Sequence, residues 1–300
     1  MPGVSVAAQA VPYEQDEFSN YARGLSLTLS TGKDDKGGYL VPHHIITKFQ
    51  DRLDELSPLR KIAKVETIST DSYEILKDKE DADCGWVQET QERKATKSPI
   101  FLKQKIDVHE LYAKPIVTQK LLEDAMLDLE PWLIEKIAYK MAKTENEAFI
   151  HGDGQNKPKG ISVYYNDIQK IQGRSVEEFI KASLSLKPRY LKTACFVMSH
   201  HGLSLVQTLK DPHTGHFLFQ NSLQQSAPLT LLGYPIVVCE ELARDNTIIF
   251  GSFYEGYQII DRLGFSLLRD PFSCKPFVEF YARKRVGGDV VDTEAFCLIA

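Results

Sequence analysis

The stretch "AFIHGDGQNKPKGIS", Ala148–Ser162, decides how the chain is read. Glycines beside lysines suggest a phosphate-binding loop. Such a loop needs a strand before it, a helix after it, and the spacing Gly-x-x-x-x-Gly-Lys-Ser/Thr. Here the order is reversed. Trp132, Leu133, Ile137, Met141, Ala148 and Phe149 recur at intervals of about three to four, which predicts a helix before the glycines. Pro131 suits a first helical position, so the helix is expected from about Pro131 to Ile150, roughly 30 Å long. Gly152 follows where a helix C-cap is preferred. Anions are held at helix N-termini, whereas a C-terminus carries the negative end of the dipole. The stretch is therefore expected to stop a helix and redirect the chain. Gly152 and Gly154 would give backbone freedom, Pro158 would stiffen the exit, and Gly160 closes the turn.

Working outward, "SVEEFIKASLSL" predicts a helix with Ser175 as N-cap and Glu178 completing a capping box. "TACFVMS" reads as a buried strand and "HHGLSLVQTLKD" as a helix. "LLGYPIVVCEEL", "NTIIFGSF", "GYQIIDR" and "FSLLRD" supply further strands. The final "PFVEFYARKRVGGDVVDTEAFCLIA" reads as two long strands joined near Gly287-Gly288. Upstream, Ile45, Ile46, Phe49, Leu53 and Leu56 share one helical face, and Ser57-Pro58 is expected to end that helix. "KIAKVETI" and "SYEIL" are two strands around "STD". Between them and the alternating strand "IFLKQKIDVHELYAKPIV" lies Lys77–Pro99, charged and nearly free of large apolar residues except Trp86 and Val87. A long charged hairpin is expected, too polar to pack on its own domain throughout. "TQKLLEDAM" is a short helix. Residues 1–36 are polar, with Phe18, Tyr21, Ala22 and Leu25 at helical spacing, and read as an arm that orders against something else. The class is α+β, without βαβ or internal repeats.

Composition narrows the function. The 300 residues are 43% hydrophobic, enough for a sizeable core, with no apolar run long enough to span a bilayer and no signal-peptide pattern at the start. A soluble protein made in cytoplasm is expected. Five scattered cysteines without Cys-x-x-Cys argue for reduced thiols. The net charge of −5, with Lys and Arg spread out, argues against tight nucleic-acid binding. His200, His201, His213 and His216 could gather around a zinc ion, which makes a metal-dependent hydrolase a distant alternative. Zinc catalysis also wants a carboxylate and an open position, and His-Glu-x-x-His is absent. Gly-x-Ser-x-Gly is absent too. No catalytic residue, metal or cofactor is assigned.

Together, "FSNYARG", "GGYLVP", "LSPLRKIAKV", "GWVQE", "LLEDAMLDLEPWL", "ENEAFIHGDGQNKPKGI", "LLGYPIVV", "GSFYEGYQIIDRLG" and "RVGGDVVDTEAF" resemble, in order, the major capsid protein family of tailed bacteriophages with the Hong Kong 97-type fold. The resemblance implies an N-terminal arm (1–37), a peripheral domain (38–68 and 105–169, with a spine helix at 131–150), and an extended loop (69–104). It further implies an axial domain (170–260) and return strands (261–300). It implies a structural protein that assembles through pentamers and hexamers into an icosahedral shell enclosing double-stranded DNA. Scaffold, portal and possibly decoration proteins would be partners. The setting would be a virion, or a prophage or phage-derived particle, with assembly in host cytoplasm. An encapsulin-like compartment is the alternative within the fold. Inter-subunit contacts are expected at Lys77, Lys79, Trp86, Arg93, Lys94, Lys97, Arg269, Asp270, Arg283 and Arg285.

Two departures from the family pattern shape the expectations. Members often start with a scaffolding segment of about a hundred residues that a protease removes. This sequence leaves no room for one, which implies a separate scaffold or an already trimmed chain. Some members also join an extended-loop Lys to a neighbour's Asn with help from a Glu. Lys94 or Lys97 could be that Lys, but alignment through Arg285 puts Pro276 and Arg283 at the Asn and Glu positions, so this crosslink is expected to be absent.

Overall fold

A computed structural model describes residues 39–40, 43–80, 100–124, 129–209, 229–244 and 247–300. In chain order the elements are β1 (Tyr39–Leu40), α1 (His43–Leu56), α2 (Pro58–Ile62), β2 (Lys64–Ile68), β3 (Ser72–Glu80), β4 (Ile100–Ala113) and β5 (Ile116–Thr118). There follow α3 (Gln119–Asp124), α4 (Leu129–His151), β6 (Gln169–Ile171), α5 (Val176–Ser185), α6 (Pro188–Leu191), β7 (Cys195–Met198) and α7 (His200–Gln207). The last are β8 (Thr230–Leu231), β9 (Tyr234–Val238), β10 (Ile248–Gly251), α8 (Phe253–Gly256), β11 (Tyr257–Asp270), β12 (Phe277–Val290) and β13 (Phe296–Ile299). Two compact units form from residues 1–56, 112–142 and 265–284, and from residues 57–111, 143–264 and 285–300.

The second unit holds a six-stranded sheet in the order β6-β13-β10-β7-β9-β8. Its central strands β7, β10 and β13 are buried along their whole length, and "CFVM", "IIFG" and "FCLI" accordingly run almost without polar residues. The two-residue side-chain period divides them between two cores. Cys195, Val197, Ile249, Phe296 and Leu298 join Leu59, Phe149, Ile150 and Tyr257 on one side. Phe196, Met198, Ile248, Phe250, Cys297 and Ile299 join Phe179 and Ala182 of α5 with Leu203 and Val206 of α7 on the other. The capping box of α5 is present, with Ser175 and Glu178 exchanging bonds as the sequence predicts. The first unit buries Phe49 and Leu53 of α1, Ile137 and Met141 of α4, and Val278, Phe280 and Ala282 of β12. Phe49 stacks on Phe265 with ring centroids 4.0 Å apart.

Two local features go beyond the sequence reading, and two others differ from it. Ser57-Pro58 ends α1 at Leu56 as expected and also starts a second helix: the Ser57 hydroxyl accepts from the Arg60 amide and Pro58 takes a first-turn position of α2. The two strands around "STD" are present and take separate partners: β2 runs parallel to β11, while β3 pairs antiparallel with β4. "GYQIIDR" and "FSLLRD" are one strand, β11. Gly287-Gly288 is no turn. Both glycines lie inside β12, where a Cβ on Gly287 would stand 2.6 Å from the Asp107 carbonyl oxygen and one on Gly288 2.6 Å from the Tyr257 hydroxyl. Glycine there permits close approach of a neighbouring strand and ring, which no local pattern distinguishes from a turn.

Candidate functional site

The helix read from the sequence runs Leu129–His151, and the following loop folds back on its end. The Gly152 amide donates to the Ala148 carbonyl (2.8 Å), the Gly160 amide to the Gly152 carbonyl (2.9 Å), and the backbones of Asp153 and Lys159 form an isolated antiparallel β-bridge. These amides are committed to the chain's own carbonyls, the reverse of a phosphate cradle. Gly152 is needed for space: a Cβ there would meet the Pro158 carbonyl oxygen at 1.9 Å. Backbone freedom belongs to Gly154, with φ of 79°. Gly160 is also a space requirement, 2.5 Å from the Ile150 carbonyl oxygen, and Pro158 is buried.

Lys159 then ties this loop to the strand that carries "VGGDV". Its amide donates to the Gly288 carbonyl (2.9 Å), its ammonium reaches the Tyr164 hydroxyl (2.6 Å), and its carbonyl accepts from Tyr257 (2.9 Å). Tyr164 donates to Asp289 (2.9 Å), which also accepts from Gln104 of β4. Burial and the Asp289 charge push the Tyr164 hydroxyl's pKa up. Two motifs far apart in sequence thus form one partly buried polar network, whose members hold each other in place.

A second buried group fixes α2 to α4 and β11. Arg60 Nε donates to Glu145 (2.8 Å), and its two terminal nitrogens grip Asp261 at 2.7 and 3.0 Å. Burial opposes the guanidinium charge, but Glu145 and Asp261 outweigh it and raise the pKa of Arg60. Ser57 donates to Asn146 beside it (2.6 Å). A charge cluster this buried defines geometry more than it adds stability.

Of the expected contact residues, Trp86, Arg93, Lys94 and Lys97 lie outside the described residues. Lys79 is in β3, and Arg269 stands opposite Tyr39 in β11. Lys77 is half-buried with its ammonium 3.4 Å from the Val290 carbonyl oxygen; burial lowers its pKa against the raising fields of Asp289 and Asp292. Asp270 accepts from the Phe272 amide (2.8 Å) and from Ser273, so it shapes its own turn. Arg283 is half-buried in β12. Arg285 reaches Asp71 (3.3 Å) and Glu110 (3.6 Å), and Arg262 shares Asp71. His200 meets Glu240 at 3.3 Å; His213 and His216 lie outside the described residues, among which no three His, Cys, Asp or Glu side chains converge as for a metal.

The charged residues drew attention in the sequence, but exposed apolar ones are equally informative. Along the β3–β4 hairpin, Ile106 pairs with Tyr73, Gln104 with Ile75, and Leu102 with Lys77, all on one face. On that face Ile106 is 2% exposed and Leu102 51%. The inward row of the hairpin thus emerges from its own subunit as it approaches residues 81–99. Strand alternation in "FLKQKID" carried that pattern, but the depth of burial did not show in it. In the first unit, Tyr112, Ile116, Phe272 and Phe277 are also exposed.

The sequence model of the phage capsid family matches residues 37–300. Among solved structures, the capsid of an empty GTA particle computed with C5 symmetry shares 32% identity, with a TM-score of 0.72 over 93% of this chain and 97% of that one. The capsid of the native GTA particle, also computed with C5 symmetry, shares 32% identity at a TM-score of 0.71, over the same 93% and 97%. A chain of Microbacterium phage Oxtober96 has the same fold at 12% identity, with a TM-score of 0.66 over 81% of this chain and 90% of that one. No curated protein matches. The chain belongs to the phage capsid family and is a structural protein of a capsid shell, not an enzyme.

Proposed function

We propose that this phage capsid family member assembles through pentamers and hexamers into an icosahedral shell enclosing double-stranded DNA. The observation that carries the reading is the β3–β4 hairpin, whose inward face passes from buried Ile106 to exposed Leu102. An apolar side chain on that face wants cover, and a neighbouring copy supplies it when the hairpin lies across the next subunit. In this reading Lys77, Lys79, Trp86, Arg93, Lys94 and Lys97 contact that neighbour, as do Arg269, Asp270, Arg283 and Arg285 from the first subunit's remaining strands. The relation to a GTA capsid computed with C5 symmetry supports fivefold arrangement. Repetition by symmetry turns weak contacts into a stable container. The −5 charge suits confinement of DNA without tight binding. Scaffold and portal proteins would act during assembly in host cytoplasm, and the finished location is the virion.

The test removes residues 81–99, joins the strands by a short turn, and compares both proteins by sedimentation and electron microscopy. The parent chain is expected to give closed shells with nuclease-protected DNA. The deletion should keep its circular dichroism and fail to close shells. Normal shells from the deletion would refute the role of the hairpin. Shells holding a protein cargo and no DNA would point to a compartment instead.

A further inference from the structure

Helix α4 presents a line of four exposed side chains that its packing does not explain. Ile137, Ala138, Met141, Ala142, Phe149 and Ile150 are buried, while Trp132 and Tyr139 are each 50% exposed and Lys136 and Lys143 are exposed. At 3.6 residues per turn, Trp132, Lys136, Tyr139 and Lys143 fall within an arc of roughly 60° and extend about 16 Å along the axis. Aromatic and lysine alternate along it.

The two acids flanking this line are ion-paired within the chain. Arg244 meets Glu147 at 2.6 Å, and Arg52 meets Glu135 at 2.9 Å while also reaching Glu55 at 2.7 Å. Among the described residues neither Lys136 nor Lys143 has an ion-pair partner. Every tip on the line carries a hydrogen-bond donor: the indole N–H, the phenol O–H and two ammonium groups. A row of donors with two uncompensated positive charges matches the phosphate oxygens of a nucleic-acid backbone, where Lys and Tyr commonly bind without reading sequence.

We propose that this face of α4 lines the shell interior and makes weak, sequence-independent contacts with the phosphates of the enclosed duplex. The proposal rests on the shell reading above and adds to it a direction and a set of residues. Two lysines per subunit hold a duplex poorly alone. Repeated over a shell, they bias the outermost DNA to lie against the wall, while the overall negative charge keeps the rest free to move.

Two measurements decide it. In the first, DNA-filled and DNA-free particles are treated with a small lysine-acylating reagent that crosses the shell, and modified lysines are mapped by mass spectrometry. Lys136 and Lys143 are expected to react in empty particles and to be protected in filled ones. Equal reaction in both, protection in both (cover by a scaffold or another protein), or reaction with a reagent too large to enter would each overturn the proposal. In the second, a short DNA duplex is titrated with unassembled subunits across salt concentrations. The Lys136→Gln/Lys143→Gln variant should lower the magnitude of the log–log salt slope by about 1.8 per subunit bound, with unchanged circular dichroism. An unchanged slope sinks the proposal. If no closed particles form, the shell reading fails, while the duplex titration still judges this face.

Discussion

Gly288 offers a direct test of why two glycines interrupt an otherwise ordinary strand. A Cβ at this position would lie 2.6 Å from the Tyr257 hydroxyl and 3.2 Å from the carbon bearing it. Tyr257 cannot swing away cheaply: it is buried, its ring meets Phe149 edge-on at 5.8 Å, and its hydroxyl holds the Lys159 carbonyl at 2.9 Å. Gly288→Ala should therefore overpack the site, at about 1–3 kcal/mol. It should also break the bond to Lys159, for about 1 kcal/mol more. Urea unfolding of unassembled subunits, followed by far-UV circular dichroism, is expected to show a loss of about 2–4 kcal/mol. Tyr257→Phe alone loses the bond and leaves the Lys159 carbonyl without that donor, costing about 1–2 kcal/mol. Combined, the two changes should cost at least about 1 kcal/mol less than their sum, because the phenylalanine removes the atom that the alanine strikes. Relief is incomplete, since the ring carbon still crowds the new methyl. Additivity within about 0.5 kcal/mol would show that contact with the hydroxyl is not why glycine is required.

Arg60→Met should destabilise the same subunit by about 3–5 kcal/mol, and also replacing Glu145 by Leu and Asp261 by Asn should recover most of it; no recovery in urea titrations would count against the buried cluster. Stability should fall on the alkaline side, because burial pushes the Cys195 thiol up to about 12 from an ordinary 9.0, and burial with the Asp292 hydrogen bond pushes Tyr190 up to about 12. Both groups keep their protons longer folded than unfolded, so their contribution is complete below the unfolded pKa and lost as pH rises from about 9 towards 12. A urea midpoint unchanged between roughly pH 8 and pH 10.5 would contradict that. Denaturing gels of purified particles should show single chains only, on the expectation from the family resemblance that Pro276 and Arg283 stand where a crosslink would need Asn and Glu; a ladder of multimers would overturn this.

Local chemistry made much of the fold legible. A period of three to four placed α4, the Ser175–Glu178 pair placed the start of α5, and an unbroken apolar run marked β7 as a buried strand. These signals are complete within a few residues, because helix geometry, capping and burial on both faces each leave their mark on neighbours in sequence. Ser57-Pro58 shows where such signals are incomplete: the pair closes α1 as its sequence predicts, but that it also opens α2 shows only in the bond from the Arg60 amide to Ser57. The candidate contact surfaces were half legible. Charge patterning picked out the hairpin, but the exposure of Leu102 and the ion pairing of Glu135 and Glu147 depend on residues distant in sequence.

The sequence by itself determined that "AFIHGDGQNKPKGIS" ends a helix, since its polarity relative to that helix rules out an anion cradle. Tertiary structure alone decided what its glycines do. Gly152 is small because the Pro158 carbonyl oxygen of the returning chain would stand 1.9 Å from a Cβ, Gly160 because the Ile150 carbonyl oxygen at the helix end would stand at 2.5 Å, and Gly288 because the Tyr257 hydroxyl would at 2.6 Å. A glycine's dihedral freedom can be anticipated from the residues beside it, whereas the atoms that would collide with its missing side chain arrive from elsewhere in the chain.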